Sequence, residues 1–341
     1  MRYRIREIAA QAGLSEATVD RVLHERGGVR ESTVHQVHRA VDDLDRQRAQ
    51  LVLGGRTFMI DVVVQAPPRF SDAVRAAVEA ELPALRPVVF RARFHRPASP
   101  DDLLAALDRI PRTGSHGVIL KAPDVPPVVA AVNRLDLPVV TLVTDLPASR
   151  RAVYVGIDNR AAGATAAYLV QQWLGERPGD VLVVRGEGAY RGEDERAVGF
   201  GAELRSLAPA RLRIDIVDAE DRPSAVHAAA RAALRRHPGI NAVYSMYAGA
   251  GGTTAVIDAF RAESRSYSVF IAHDLDGDNT PLLRQRLISA VLHHDLRQDV
   301  RRACQAVLRA RKVIPGPQPW TPSAIQIITP HNAPPARLGP D

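Results

Sequence analysis

The chain has 341 residues, 46% hydrophobic and 24% charged, and its 45 basic against 38 acidic residues give a net charge of +7. That composition belongs to a folded chain of two or three domains and excludes a disordered one; the basic surplus fits a polyanion partner without demanding it. A single cysteine, Cys304, excludes a disulfide framework and a cysteine metal cluster. No apolar run is long enough to cross a membrane and residues 1–12 lack the apolar core of a secretion signal, so a cytoplasmic protein without a membrane partner is expected.

The first 45 residues read as three short helices. Ile5, Ile8, Ala9 and Ala12 recur at helical spacing and form one apolar face. Gly13 supplies the left-handed residue that ends a helix, Leu14 plugs the angle, and the hydroxyl of Ser15 caps a second helix running to about His24. Val19, Val22 and Leu23 face inward from that helix, and Val34, Val37, Val41 and Leu44 from a third that begins near Glu31. Two helices joined by a tight glycine turn and closed by a third form a helix-turn-helix unit, whose second helix enters the major groove. Glu16, Ala17 and Arg21 are its exposed positions, with Arg21 suited to guanine, Glu16 to a cytosine amine and Ala17 to a thymine methyl. Thr18 and His24 are phosphate candidates. A small bundle that binds protein, or that caps the next domain, is the alternative.

Residues 46–56 read as a linker ending in Leu53-Gly54-Gly55-Arg56. Beyond it, apolar runs at 58–64, 88–94, 117–120, 139–143, 153–157, 181–184, 213–217, 242–246, 268–272, 288–292 and 324–328 alternate with helical patterns such as 71–85, 101–110 and 160–174. Strand-helix alternation implies parallel sheets covered on both faces, and this many strands implies two doubly wound α/β lobes within residues 57–330. Residues 331–341, rich in proline, read as a disordered tail.

The series Ile8-Ala9, Ala12-Gly13-Leu14-Ser15 and Thr18-Val19-Asp20-Arg21-Val22-Leu23 resembles the headpiece of the lactose-repressor family of transcription regulators. The resemblance implies a homodimer or tetramer on a near-palindromic operator, a periplasmic-binding-protein-like body, and a small effector between its lobes. It also implies that lobe one spans about 57–158 and 296–316 and lobe two about 159–295 and 317–330. Asp20 stands where the family has serine, Arg4 and Arg30 stand at its usual hydroxyl caps, and its hinge motif is shortened to residues 45–51. In the family a hinge leucine wedges into the minor groove; Leu51 is the residue placed to do so, or to pack on the neighbouring lobe.

Ligands of parallel sheets bind beyond the carboxyl ends of the strands, so the residues there are the effector candidates. Arg69 and Phe70 follow the first strand, where sugar receptors carry aromatic rings, and Lys121 follows the third. Asp145 follows the fourth and resembles the receptors' acid that accepts sugar hydroxyls; a turn-forming role is its alternative. Asp158-Asn159 resembles a crossover pair whose first role is to cap a helix. Arg196 opens an R-x-x-G-F motif and resembles the arginine that enters the receptors' cleft, with Arg191 a nearby competitor. Tyr247 and the glycine-rich run 249–252 occupy the place of the receptors' Asn-Asp pair; Asp274 and His294 follow the next strands, His294 where receptors often have glutamine. Arg69, Arg196 and the N–H groups of the glycine run all donate, which points to a sugar, polyol, sugar acid or sugar phosphate, with a carboxylate or phosphate favoured. The histidine cluster lacks a metal-ligand spacing, so neither metal nor cofactor is expected. No nucleophile elbow, phosphate loop or dinucleotide fingerprint occurs. A regulator, not an enzyme, is the expectation, and a repressor in particular; a transport-type sugar receptor and a sugar-modifying enzyme are the alternatives.

Overall fold

The computed structural model describes residues 3–334 except 25, 53–55, 97–99, 187–188, 219–221, 248 and 318–320, and leaves the side chains of 31, 42–43, 45–52 and 100 outside the description. The chain begins with α1 (Ile5–Ala12), α2 (Glu16–Leu23) and α3 (Glu31–Val52). Gly13 adopts φ 64°, which lets Leu14 N–H turn back to the Ala9 carbonyl at 3.0 Å and end α1. Ile8, Ala9, Ala12, Val19, Val22, Val37 and Ala40 bury one small core, with Leu14, Leu23, Val34, Val41 and Leu44 packed against it. Gln36 Nε2 donates to the Ala12 carbonyl at 2.7 Å and fastens α3 across the end of α1.

The third helix does not stop where a linker is expected. It runs to Val52, because Arg46, Gln47, Arg48, Ala49, Gln50 and Leu51 are all good helix formers and nothing among them breaks the helix. Leu51 falls in its last turn, and the expectation for its side chain lies outside the described residues.

The body continues as β1 (Phe58–Gln65), α4 (Pro68–Glu81), β2 (Val88–His95), α5 (Pro100–Arg109), β3 (Gly117–Lys121), α6 (Pro126–Arg134), β4 (Val139–Leu142) and β5 (Val153–Val155). Next come α7 (Asn159–Leu174), β6 (Asp180–Gly186), α8 (Arg191–Leu207), β7 (Arg213–Asp218), α9 (Pro223–Arg236) and β8 (Ile240–Ser245). It ends with α10 (Gly252–Ala262), β9 (Val269–His273), α11 (Asn279–Arg284), β10 (Ala290–His293), α12 (Leu296–Ala310) and β11 (Gln326–Ile328). The first sheet is parallel in the order β2-β1-β3-β4-β5. The second has the order β11-β10-β9-β8-β6-β7, with β11 alone antiparallel. The strands carry near-continuous runs of Val, Ile and Leu because helices cover both faces of each sheet.

α12 returns to the first lobe, where Val300, Ala303, Cys304 and Val307 pack with Ile60, Val62 and Val140. The chain therefore passes between lobes three times, after β5, after β10 and before β11. These passages are tied together. Ile157 bridges Ser323, and Ser323 N–H donates to the Gly156 carbonyl at 2.8 Å. Ser323 Oγ also donates to Asp299 Oδ1, while Asp299 Oδ2 lies 2.6 Å from His294 Nδ1. The start of the expected disordered tail is ordered: Asn332 Nδ2 donates to the Ile327 carbonyl at 3.0 Å, and Ala333 packs on the second-lobe core. Residues 335–341 lie outside the described residues.

Candidate functional site

The N-terminal unit presents one polar ridge. Ser15, Glu16, Ala17, Arg21 and His24 are exposed, and Thr18 is half-buried. Ser15 Oγ caps α2 by accepting from Thr18 N–H at 3.2 Å, and the two hydroxyls meet at 2.8 Å. Asp20 holds two neighbours, with His24 Nδ1 at 2.9 Å and Arg26 Nη1 also at 2.9 Å. Arg21 projects from the same helix with no carboxylate partner among the described residues. A cap thus fixes the start of α2 while Arg21 keeps its five donors for an external acceptor.

The second site lies between the lobes. A cavity of about 960 Å³ is bounded by Arg69 and Phe70 from the first lobe and by Tyr247, His273, Asp274 and Asp276 from the second, with His294 at the passage between them. Asp274 takes the left-handed φ of 65°, a strained backbone of the kind that clusters at working sites. Burial works against its charge, but His294, Arg196, His273 and His293 outweigh it and hold the carboxyl below its usual range. His294 is the converse case. Burial disfavours the imidazolium, yet the Asp299 hydrogen bond and the Asp299 and Asp274 charges prevail and raise it.

α8 carries the densest chemistry. Tyr190, Glu193 and Arg196 repeat at three-residue spacing from its start and so share one face. Arg196 is 5% exposed, and its Nε donates to Asn159 Oδ1 at 2.8 Å. Asn159 Nδ2 in turn donates to Tyr154 Oη at 3.1 Å and to the Val143 carbonyl at 3.3 Å. Glycines let this assembly form. A Cβ on Gly163 of α7 would lie 2.0 Å from the Arg196 carbonyl, and one on Gly199 of α8 would lie 2.0 Å from that of Arg160. Only glycine permits two helices to approach so closely. Lys121, at the carboxyl end of β3, is 7% exposed; its Nζ lies 3.7 Å from the centre of the Tyr190 ring and 4.9 Å from that of Phe70. Burial lowers its ammonium to about 8, despite the opposing charge of Glu193. Burial likewise raises the Glu193 carboxyl, against the pull of Lys121 and Arg196.

Two family models match the chain. Residues 4–47 match the model for bacterial regulatory proteins of the lacI family, and residues 62–312 match that for a periplasmic binding protein domain. The chain belongs to the lacI family, with a periplasmic-binding-protein body. No curated protein sequence matches it significantly. Among solved structures, GanP, a glucose-galactose binding protein from Geobacillus stearothermophilus, is 21% identical over 82% of this chain and 99% of its own, with TM-score 0.72. A solute-binding protein from Burkholderia graminis C4D1M, in complex with D-arabinose, is 18% identical over 81% of this chain and 96% of its own, with TM-score 0.70. A candidate LacI transcriptional regulator from Bacteroides fragilis is 15% identical over 81% of this chain and 98% of its own, with TM-score 0.66. These likenesses establish the fold of the body. No helix among the described residues is long and apolar enough to cross a membrane.

In this lacI-family chain the cleft gathers Arg69, Phe70, Tyr247, Asp274 and His294 around one cavity, while Arg196 is buried against Asn159 outside that lining. Asp145 is elsewhere. Its carboxylate is held by Arg151, by Thr141 Oγ1 at 2.8 Å and by the Leu146 N–H at 2.8 Å, so it builds a turn of the first lobe. Arg69 reaches the cavity already neutralised: it pairs across the lobes with Asp276, and Asp278 lies 3.8 Å away. The glycine run offers fewer donors than its sequence suggests, because Gly251 N–H is taken by Asp278 at 2.8 Å and Gly252 N–H by the Gly249 carbonyl at 2.8 Å. Asp158 caps α7 through Ala161 N–H at 2.9 Å, which leaves Asn159 to position Arg196. Tyr190 and Glu193 were not singled out from sequence, and Lys121 was noted only for its place after a strand. The one available signal was the three-residue spacing from Tyr190 through Glu193 to Arg196.

Proposed function

We propose that this chain is a cytoplasmic transcription repressor that binds a two-fold operator as a homodimer, its affinity set by a small sugar-like effector between the lobes. The carrying observation is the joining of a helix-turn-helix unit to a receptor body in one chain. The exposed ridge of Glu16, Ala17 and Arg21 supports base reading from α2, with Ser15, Thr18 and His24 beside the phosphates. Effector binding favours one arrangement of the lobes, and the operator favours one spacing of the two N-terminal units; the two affinities are linked through that shared equilibrium.

Binding-site selection followed by gel shift tests the reading. Arg21→Ala is expected to cost about 1–3 kcal/mol of operator binding and to relax preference at one base pair. Unchanged preference removes Arg21 from base readout, and no shift of any promoter fragment removes the regulator. The solution mass at micromolar concentration is expected to be that of a dimer, because one short helix reads too few base pairs for tight binding alone. A monomer with full operator affinity contradicts this.

A further inference from the structure

The basic surplus of this chain does not lie where the DNA reader lies. Residues 1–56 hold ten arginines against eight acidic residues, so they carry two of the seven surplus charges. α2 itself sets Arg21 against Glu16 and Asp20, and its phosphate candidates Ser15, Thr18 and His24 bring hydroxyls and an imidazole. Affinity for DNA comes largely from arginines and lysines that displace condensed counterions. A reading unit this close to neutral leaves much of that task to another surface.

The first lobe has such a surface. Its sheet is parallel, so the starts of β1 to β5 lie at one end. The loops that lead into those strands, with the segment that follows α12, carry seven arginines and lysines and two carboxylates, Asp136 and Asp145. Asp145 is spent on one of the seven, Arg151. The other six, Arg56, Arg86, Arg112, Arg150, Arg311 and Lys312, are exposed and have no side-chain partner among the described residues. Backbone bonds hold these loops together. Phe58 N–H donates to the carbonyl of Pro87, the residue after Arg86, at 3.2 Å, and His116 N–H donates to the Met59 carbonyl at 2.7 Å. Arg150 N–H donates to Asn133 Oδ1 at 2.6 Å, and Ala152 N–H to the carbonyl of Val139 at the start of β4 at 2.7 Å. Arg56, His116 and Arg311 line one recess. The N-terminal unit enters at this same end. α3 ends at Val52 and β1 begins at Phe58, so the chain between them spans at most about 20 Å. The reader is thus tethered to the side of the body that carries the six cations.

We infer that this strand-start face of the first lobe is a second DNA-contacting surface, which binds operator phosphates through these six side chains and reads no base. This rests on the regulator reading above. A guanidinium or ammonium bonds phosphate oxygens strongly and carries no sequence information in doing so. The face therefore sets how tightly the chain holds DNA, while α2 sets which sequence it holds.

The experiment is a DNA-binding titration of the full chain, on its selected operator duplex and on an unrelated duplex, between about 50 and 200 mM salt. Wild type is compared with Arg112→Gln/Arg311→Gln and with Arg112→Lys/Arg311→Lys. Each phosphate contact contributes about 0.9 to the slope of log affinity against log salt. The glutamine pair is expected to flatten that slope by about 2 for each protomer bound, to weaken both duplexes alike, and to keep the wild-type base preference. The lysine pair keeps the charges and is expected to keep the wild-type slope. A wild-type slope in the glutamine pair overturns the inference and leaves the face to an acidic protein. A loss confined to the operator duplex, a changed base preference, or equal flattening by the lysine pair overturns it too. The substituted side chains are exposed and unpartnered, so the melting midpoint is expected to stay at the wild-type value. Should the glutamine pair fail to fold, Arg86→Gln/Lys312→Gln carries the same expectation. Wild-type protein that shifts no duplex overturns the regulator reading and this one with it. Wild-type protein that selects an operator while the glutamine pair keeps its slope overturns this inference alone.

Discussion

Gly163→Ala is expected to lower the stability of the body by about 1–3 kcal/mol, the range for forcing extra volume into a packed interior. The added methyl would lie 2.0 Å from the Arg196 carbonyl. That atom is backbone on a facing helix, so no rotamer change relieves the clash and α7 and α8 must separate. The separation pulls Arg196 Nε from Asn159 Oδ1, so effector response fails together with stability. Gly199→Ala is expected to act alike from the other helix, since its Cβ would lie 2.0 Å from the Arg160 carbonyl. Urea unfolding of both variants, with a thermal-shift titration of effector, checks this. A wild-type unfolding midpoint in either variant contradicts such close helix packing.

Asp299→Ala is expected to cost about 3–5 kcal/mol, the penalty for stripping one partner from a buried ion pair. It leaves His294 Nδ1 and Ser323 Oγ without their shared acceptor. The pH dependence identifies the cause. The folded-state imidazole of His294 is raised above its ordinary 6.5, because Asp299 and Asp274 outweigh burial. A raised value means that the folded protein binds the proton more tightly than the unfolded chain. The stability this pair supplies is therefore fully present below about pH 6.5 and declines as pH rises through the folded value. Asp299→Asn keeps a hydrogen-bonding side chain but no charge, so it is expected to lose less than the alanine variant and to flatten the profile above about pH 6.5. A wild-type slope in Asp299→Asn contradicts the assignment to this pair.

The elements were legible because each carries its period on its surface. The valine-rich runs mark strands buried on both faces, and the repeat of Ile8, Val19, Val22 and Val37 marks the N-terminal core. What the sequence left unread has specific causes. Residues 46–52 held no helix breaker, and the linker expectation extended the stop signal at Leu53-Gly54-Gly55-Arg56 back over residues that continue the helix. Asp145 had Arg151 six positions away, a local partner that a reading of strand ends passed over. Arg69 and Asp276 are far apart in sequence and meet only once both lobes are folded, so neither residue type nor spacing could disclose that the charge is answered. Lys121 was harder still. A lysine after a strand is usually solvated, and only the closure of Tyr190 and Phe70 over it makes it a buried cation.

Closure itself is held by the protein's own groups. Tyr190 Oη donates to the Gln65 carbonyl at 2.9 Å, Asp124 N–H to the Ala189 carbonyl at 2.8 Å, and Gly192 N–H to Thr144 Oγ1 at 3.1 Å, with Arg69 and Asp276 paired alongside. An effector bound behind these bonds enters and leaves only as fast as they open together. Its association rate is then the encounter rate multiplied by the open fraction, and its residence time is set by the same gate. Weakening one of these bonds speeds both entry and exit, so the regulator's switching time can be tuned at positions such as Thr144 that lie outside the cavity lining.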